Sequence, residues 1–561
     1  MEYALPQDLR DSRFVERNER MNSASKTRVA FFRHTTSFMC TALLVAGFAI
    51  AKPAFAQVTP FMQSVAEQAA PDSDIAAFYK ANGYTPLWTG TGSLDKARRM
   101  ALLKALKSAG DHALPVGSYN VGLLESNLRR VSTQRELGEI EVELSRAFLK
   151  YARDVQTGVL TPKKVDEGIV RDVHLRSRTT LLETFSKSTP AAFLRALPPQ
   201  APEYSRLLKA KMLLEQQITE GGWGPRVNAS ALKPGQSGAA VVALRNRMIA
   251  MGYLPRAASQ TYDAKLQVAV QKFQHDNGLE TDGVAGPGTI TEINKQIEDR
   301  LPNILVAIER ERWMNIERGK RHVWVNLTDF TASIMDNEQV TFQTRSVIGK
   351  NISDQRSPEF SDVMEYMEIN PYWNVPNSIA RNEYLPRMLS NPGAAGHLQL
   401  VDRNGRVVSR SSVNWGAYST SNFPFNLRQP PSNGNALGLV KFMFPNPYNI
   451  YLHDTPAKSL FAREVRAFSH GCIRLRDPFD FAYEILRPQS VDPVGEFQRI
   501  LRSGANTRVN LDQKIPVHIV YRTAFTSAKG RLNFRRDIYG RDERIYNALL
   551  RAGVVLNDVR S

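Results

Sequence analysis

The sequence predicts a multidomain α+β chain: a helical scaffold, a small three-helix domain, and a β-rich domain with an inserted flap. Three observations lead there. The 561 residues correspond to two to four domains at roughly 100 to 200 residues each, which excludes a single small binding module. Apolar residues recur at helical spacing from Gln57 to about Gly222, and from His322 onward they alternate with polar ones as in half-buried strands. With 42% hydrophobic and 23% charged residues the chain is neither wholly disordered nor collagen-like.

The first 56 residues read as a secretory signal. The apolar run Phe38 to Ala51 follows Lys26, Arg28 and Arg33 and leads into Ala54-Phe55-Ala56, a small-x-small cleavage pattern, with Met21 as an alternative start. The formal charge is +18, and eight Lys or Arg against five Asp or Glu in residues 1–56 leave +15 on the exported part. Such a charge calls for an anionic partner, and export favours a wall polymer or lipid surface over nucleic acid.

Residues 57–225 form the scaffold. Its clearest helix opens with the capping box Thr133/Glu136 and lines Leu137, Ile140, Leu144, Phe148, Tyr151 and Val155 along one face. Phe78, Tyr79, Tyr84 and Trp88 read as packing between helices. Gly221, Gly222, Gly224 and Pro225 break the pattern. In 231–297, one helix carries Val241, Leu244, Met248 and Met251, and a second carries Leu266, Val270 and Phe273. Its Gly-Tyr-Leu, Tyr-Asp, Phe-Gln and Asp-Gly-x-x-Gly steps resemble, in order, the three-helix peptidoglycan-binding domain, which implies wall binding. A helical connector (298–320) leads to the β-rich domain (321–525), with strand-like runs at Val323 to Leu327, His397 to Val401, Tyr448 to Leu452 and Pro516 to Tyr521. Pro376 to Pro431 is turn-rich and too long for a hairpin loop, so it is expected to form a flap over a site. Residues 526–561 are expected to be a C-terminal extension.

The chemistry centres on a thiol. Cys40 lies in the signal, so Cys472 is the one cysteine of the exported part and no internal disulfide can form. It sits in Ser469-His470-Gly471-Cys472-Ile473-Arg474-Leu475, downstream of Tyr451-Leu452-His453-Asp454. A thiol near neutral pH is mostly protonated, and a nearby imidazole can take its proton. Either histidine could serve. On a strand, His470 and Cys472 would share a face, and the Gly471 and Cys472 amides could form an oxyanion hole. The nine histidines show no metal-ligand spacing and no nucleotide motif is present, so no metal or cofactor is expected.

These residues resemble the L,D-transpeptidase family, whose signature is a His, a gap, then Ser/Thr-His-Gly-Cys. The resemblance is to its large, YcbB-like branch, with an N-terminal scaffold and a peptidoglycan-binding domain. Asn370-Pro371-Tyr372-Trp373-Asn374-Val375-Pro376, Asn435-Ala436-Leu437-Gly438 and Phe534 to Asp542 support it. The resemblance implies a β-rich catalytic domain, Cys472 as nucleophile, His453 as general base, and Asp454 orienting the imidazole through its carbonyl or side chain. Ser469, His470 and Gly471 would line the oxyanion side. Many shorter relatives have Asn where this chain has Arg474, which is assigned to substrate carboxylates or local structure, and Ser432-Asn433 departs from an expected Pro-Gly. The implied reaction is 3→3 peptidoglycan cross-linking in the periplasm, from tetrapeptide stems with release of D-Ala, and carbapenems are implied as acylating drugs. Water or a protein amine could replace the acceptor, and a non-catalytic wall-binding scaffold is the alternative. The expected partners are peptidoglycan stem peptides, with membrane or wall-synthesis proteins as transient ones and no nucleic acid.

Overall fold

The computed structural model describes residues 58–527 and 529–555, so the signal segment lies outside the described residues. The architecture is α+β, with helices first and the large sheet last. In the scaffold the helix Gln134–Thr157 starts at the expected capping box, where Thr133 Oγ1 accepts the Glu136 N–H and the Glu136 carboxylate accepts the Thr133 N–H. Its apolar face buries Ile140, Leu144, Phe148, Tyr151 and Val155, and Trp88 stacks on Phe185 with centroids 5.1 Å apart. The aromatic cluster at Phe78, Tyr79 and Trp88 is core. Three helices, Ala239–Ala250, Ala264–Asp276 and Pro287–Ile293, close the wall-domain core around Val241, Leu244, Leu266, Val270 and Phe273.

The β-rich part holds a nine-stranded sheet built from β1 (Arg321–Asn326), β2 (Thr331–Asp336), β3 (Gln339–Gly349), β4 (Phe360–Ile369), β9 (Val440–Met443), β10 (Leu452–His453), β11 (Ala467–Ser469), β12 (Ile473–Leu475) and β13 (Thr507–Val520). Its order is β11-β3-β12-β10-β9-β4-β13-β1-β2, and β2 also pairs with β3, so the sheet curls back on itself. Val323, Val325, Met364, Phe442, Leu452 and Ile473 form its interior, capped by Phe481 and Ile485 of the helix Pro478–Leu486. The expected flap is a small folded unit. Strands β5 (Trp373–Asn374), β6 (Gln399–Val401), β7 (Val407–Val408) and β8 (Asn426–Gln429) make a second sheet around Trp373, Met388, Leu400 and Leu427. Its roots reach beyond 376–431 because Trp373 and Leu437 belong to that core.

Two segments are more central than their sequence suggests. The connector helix, Ile297–Trp313, is buried along nearly its whole length and packs on the helices Pro202–Thr219 and Arg541–Arg551. The stretch from 526 onward does not stand apart. Strands β14 (Ala524–Thr526) and β15 (Leu532–Phe534) pair as a ribbon, and Glu203 of the scaffold accepts the Thr526 N–H at 2.6 Å. Among the described residues no helix is long and apolar enough to cross a membrane.

Candidate active site

The sheet brings the motif residues together. β10 and β12 run parallel, with Leu452 opposite Ile473 and His453 opposite Arg474. His453 and the residues around Cys472 therefore meet although nineteen positions separate them in the chain. Cys472 itself is not on a strand. His470, Gly471 and Cys472 form a bend between β11 and β12, so the shared strand face expected for His470 and Cys472 does not occur. The cause is Gly471, whose φ of +115° breaks the strand, and a Cβ there would meet Ile450 Cδ1 at 3.1 Å.

Hydroxyls hold the bend. Ser469 Oγ donates to the Cys472 carbonyl at 2.5 Å and accepts the Gly471 N–H at 3.2 Å. Ser357 Oγ donates to the Gly471 carbonyl at 2.6 Å. The Gly471 amide, expected to face an oxyanion, is thus engaged by Ser469. The Tyr539 hydroxyl accepts the Ser357 N–H (3.3 Å) and donates to the Gly349 carbonyl (2.6 Å), which gives the C-terminal motif a place behind the thiol.

His453 is buried, and its Nδ1 lies 2.5 Å from the Asp454 carbonyl oxygen. A carbonyl can only accept, so Nδ1 carries the proton and Nε2 keeps its lone pair. Of the two ways Asp454 could orient the ring, the backbone one is realised. Its carboxylate faces elsewhere, accepting the Leu439 N–H at 2.9 Å and Lys458 Nζ at 2.8 Å. Gly438 permits this approach: its φ is +61°, and a Cβ would lie 2.3 Å from the Asp454 carboxyl. Asn435 fastens the same loop, donating to the carbonyls of Pro371 (3.1 Å) and Pro430 (2.9 Å) at the roots of the inserted unit.

Cys472, His453, His470, Ser469 and Arg474 line one cleft of about 560 Å³, roofed by the inserted unit. Cys472 Sγ donates to the Asn449 carbonyl at 3.4 Å and not to His453. Burial pushes the thiol up to about 11, partly offset by the N–H and hydroxyl of Tyr451. Burial, then the charge of Arg474, pulls His453 down to about 3. The resting pair is therefore a neutral thiol and a neutral imidazole. His470 turns the other way, its Nε2 lying 2.5 Å from Oε1 of Glu383 on the inserted unit.

Sequence reasoning missed Tyr451, Lys441 and Glu383. The Tyr451 ring lies 5.6 Å from the His453 ring, and Lys441 Nζ sits 4.9 Å over it. The place of Tyr451 beside His453 in the motif was the available signal. Lys441 and Glu383 lie outside the motifs and offered none.

Residues 73–210 match the model of a Scaffold domain, 237–293 that of a "Putative peptidoglycan binding domain", and 320–494 that of the L,D-transpeptidase catalytic domain. A curated "Putative L,D-transpeptidase" of Haemophilus influenzae is 28% identical over 242 residues, which cover 43% of this chain and 48% of the relative. The chain thus spans about half the length of that relative. Among solved structures, an L,D-transpeptidase from Xylanimonas cellulosilytica is 13% identical, covering 53% of this chain and 98% of its own at a TM-score of 0.17. One from Stackebrandtia nassauensis is 14% identical, covering 53% and 97% at 0.21. The three matched segments stand in the order scaffold, peptidoglycan-binding domain, catalytic domain, with His453 and Cys472 inside the last. The chain therefore carries an L,D-transpeptidase catalytic domain in the layout of that family's large, YcbB-like branch, behind a scaffold domain and a peptidoglycan-binding domain.

Proposed function

We propose that this protein is a cysteine-dependent L,D-transpeptidase that makes 3→3 peptidoglycan cross-links. The observation that carries the reading is the presence, in one cleft, of the Cys472 thiol and an imidazole whose Nδ1 is anchored on the Asp454 carbonyl. Sγ attacks the carbonyl of the third residue of a tetrapeptide stem while the thiol proton passes to His453 Nε2. Because both groups rest neutral, proton transfer accompanies attack instead of preceding it. The oxyanion takes the Cys472 N–H, and Arg474 and Lys441 at the cleft wall offer charge to stem carboxylates. Collapse breaks the amide bond, and the imidazolium returns its proton to the departing amine of D-Ala, leaving a thioester. An amine of a second stem then attacks the thioester, its proton goes to His453, and the thiol is regenerated with the new amide. The wall-binding domain holds the enzyme on its polymer, and the signal segment delivers it to the periplasm.

Mass analysis of muropeptides after incubation with tetrapeptide-rich sacculi tests this. New 3→3 dimers are expected. Free tripeptides alone would mean water is the acceptor, and an unchanged profile would favour a non-catalytic wall-binding scaffold.

A further inference from the structure

A second large cleft lies at the far end of the strands that carry the thiol bend. Arg466 precedes β11 and Arg476 follows β12, so both stand roughly 10 Å from the bend at about 3.3 Å per residue. The cleft encloses about 490 Å³, and its opposite wall is the end of the wall-domain helix Ala264–Asp276 with the turn through Thr281. Nothing in the reaction above uses it.

Six arginines line this cleft. Arg535 is paired with Asp329, and Arg536 with Glu464 at 2.9 Å. The other four have almost no counter-charge. Among the described residues, Arg345, Arg463 and Arg466 make no ion pair. Arg476 has one contact at 3.8 Å with Asp477, whose carboxylate also accepts the Thr344 hydroxyl. Arg466 is held by backbone carbonyls, those of Ser346 (3.2 Å) and Arg463 (2.9 Å) among them. Burial, together with the nearby charge of Arg345, pulls its guanidinium down to about 10. Glu280 on the opposite wall is the one lining carboxylate outside any ion pair. Guanidiniums gathered around a cavity repel one another, and an anion entering it relieves that repulsion. Their planar forks suit carboxylates, which accept two N–H donors at once.

We propose that this cleft binds the carboxylates of a peptidoglycan stem peptide on a strand other than the one at the thiol. The proposal rests on the transpeptidase reading, in which stem carboxylates are the anions next to the reacting carbonyl. The wall-binding and catalytic domains each supply one side, so a bound stem would tie the two functions together.

Calorimetry on the full chain with Cys472 alkylated, which cannot turn over, provides the test. It is titrated with a soluble disaccharide tripeptide, with the same muropeptide amidated at its carboxylates, and with inorganic phosphate. The carboxylate form should bind at least tenfold tighter than the amidated one, and Arg345→Gln/Arg463→Gln should lose at least tenfold. Arg463→Gln alone should lose about threefold with its melting temperature unchanged, since that guanidinium bonds nothing in the fold, and it keeps the test decisive if the double variant fails to fold. Equal binding of the amidated form, or affinities unmoved by either substitution, would overturn the proposal. Phosphate binding without muropeptide binding would mean an adventitious ion only, which also overturns it. Failure of the transpeptidase reading would show separately, as sacculi left unchanged by the unmodified enzyme.

Discussion

The thiol cleft and the charged belt around the connector helix are both rich in buried ionisable groups, but they treat them in opposite ways. In the belt every charge is answered. Arg310 meets Glu359 at 2.5 Å and Asp542 at 3.3 Å, Arg541 meets Glu359 at 3.2 Å, and Arg312 meets Glu309 at 2.8 Å, all buried. Tyr521 and Tyr539 flank Arg541 with ring centroids 5.3 and 5.0 Å away. In the cleft, half-buried Cys472 and buried His453 are both held toward neutrality, and neither hydrogen-bonds the other. The difference lies in pairing: in the belt opposite charges meet and hold elements together, and in the cleft the thiol and the imidazole are each left without a counter-charge. The two regions touch at Ser357, whose carbonyl accepts Arg541 Nη2 at 3.1 Å while its hydroxyl holds the Gly471 carbonyl.

The strongest way to break this contrast is Cys472→Ala. It should abolish both the covalent carbapenem adduct, read by intact-protein mass, and 3→3 products, while thermal unfolding stays where it was. Retained acylation would move the nucleophile elsewhere. His453→Ala should slow acylation by about 10²- to 10⁴-fold, the usual range for a lost general base, again without loss of stability. A larger effect of His470→Ala would assign the base to His470 instead.

Belt substitutions should do the reverse. Glu359→Ala leaves two buried guanidiniums short of a partner and should destabilise by ~3 to 5 kcal/mol, read by chemical denaturation. A loss under about 1 kcal/mol would mean that the belt is not what fastens the domains.

Legibility follows the same divide. The Gln134–Thr157 helix was readable because one face is apolar and its cap is local in sequence. That Cys472, His453 and His470 would gather in one cleft was readable because thiol chemistry needs particular residue types at a particular spacing. The centrality of Ile297–Trp313 was not, because nothing local to Glu-Arg-Glu-Arg at its end announces the distant partners Glu359, Arg318, Arg522 and Asp542 that help make those charges buriable. The bend at Cys472 was hidden for another reason: Gly471 can adopt strand geometry, and its φ is set by Ser357 and Ser469, remote and local hydroxyls acting together.

A gentler probe of the cleft is pH. A thiol pushed up to about 11 is protonated at neutrality, and its thiolate fraction grows about tenfold per pH unit until the pH nears that value. His453, down at about 3, is uncharged throughout. Alkylation of free enzyme by iodoacetamide should therefore climb from pH 7 to 9 without a plateau. A plateau near pH 6 to 7 would indicate a preformed thiolate–imidazolium pair and place the cleft on the paired side of the comparison.

The smallest effect concerns the contact that closes the inserted unit over the thiol. Glu383 and His470 meet at 2.5 Å with side chains 45% and 28% exposed, and a bridge that open to solvent contributes about 0 to 1 kcal/mol. Glu383→Gln should therefore change the acylation rate by about fivefold at most. The direction is set by size, because a carbapenem must pass beneath the inserted unit whereas iodoacetamide need not. Acylation should quicken for the carbapenem and stay unchanged for iodoacetamide. Hydrogen exchange should rise at residues 376–384, which carry Glu383, while β6 and β8 keep their protection, since those strands share the unit's own core around Leu400 and Leu427. Equal acceleration of both reagents would mean that Glu383 acts on the thiol through His470, and the contact would then belong to the chemistry and not to access.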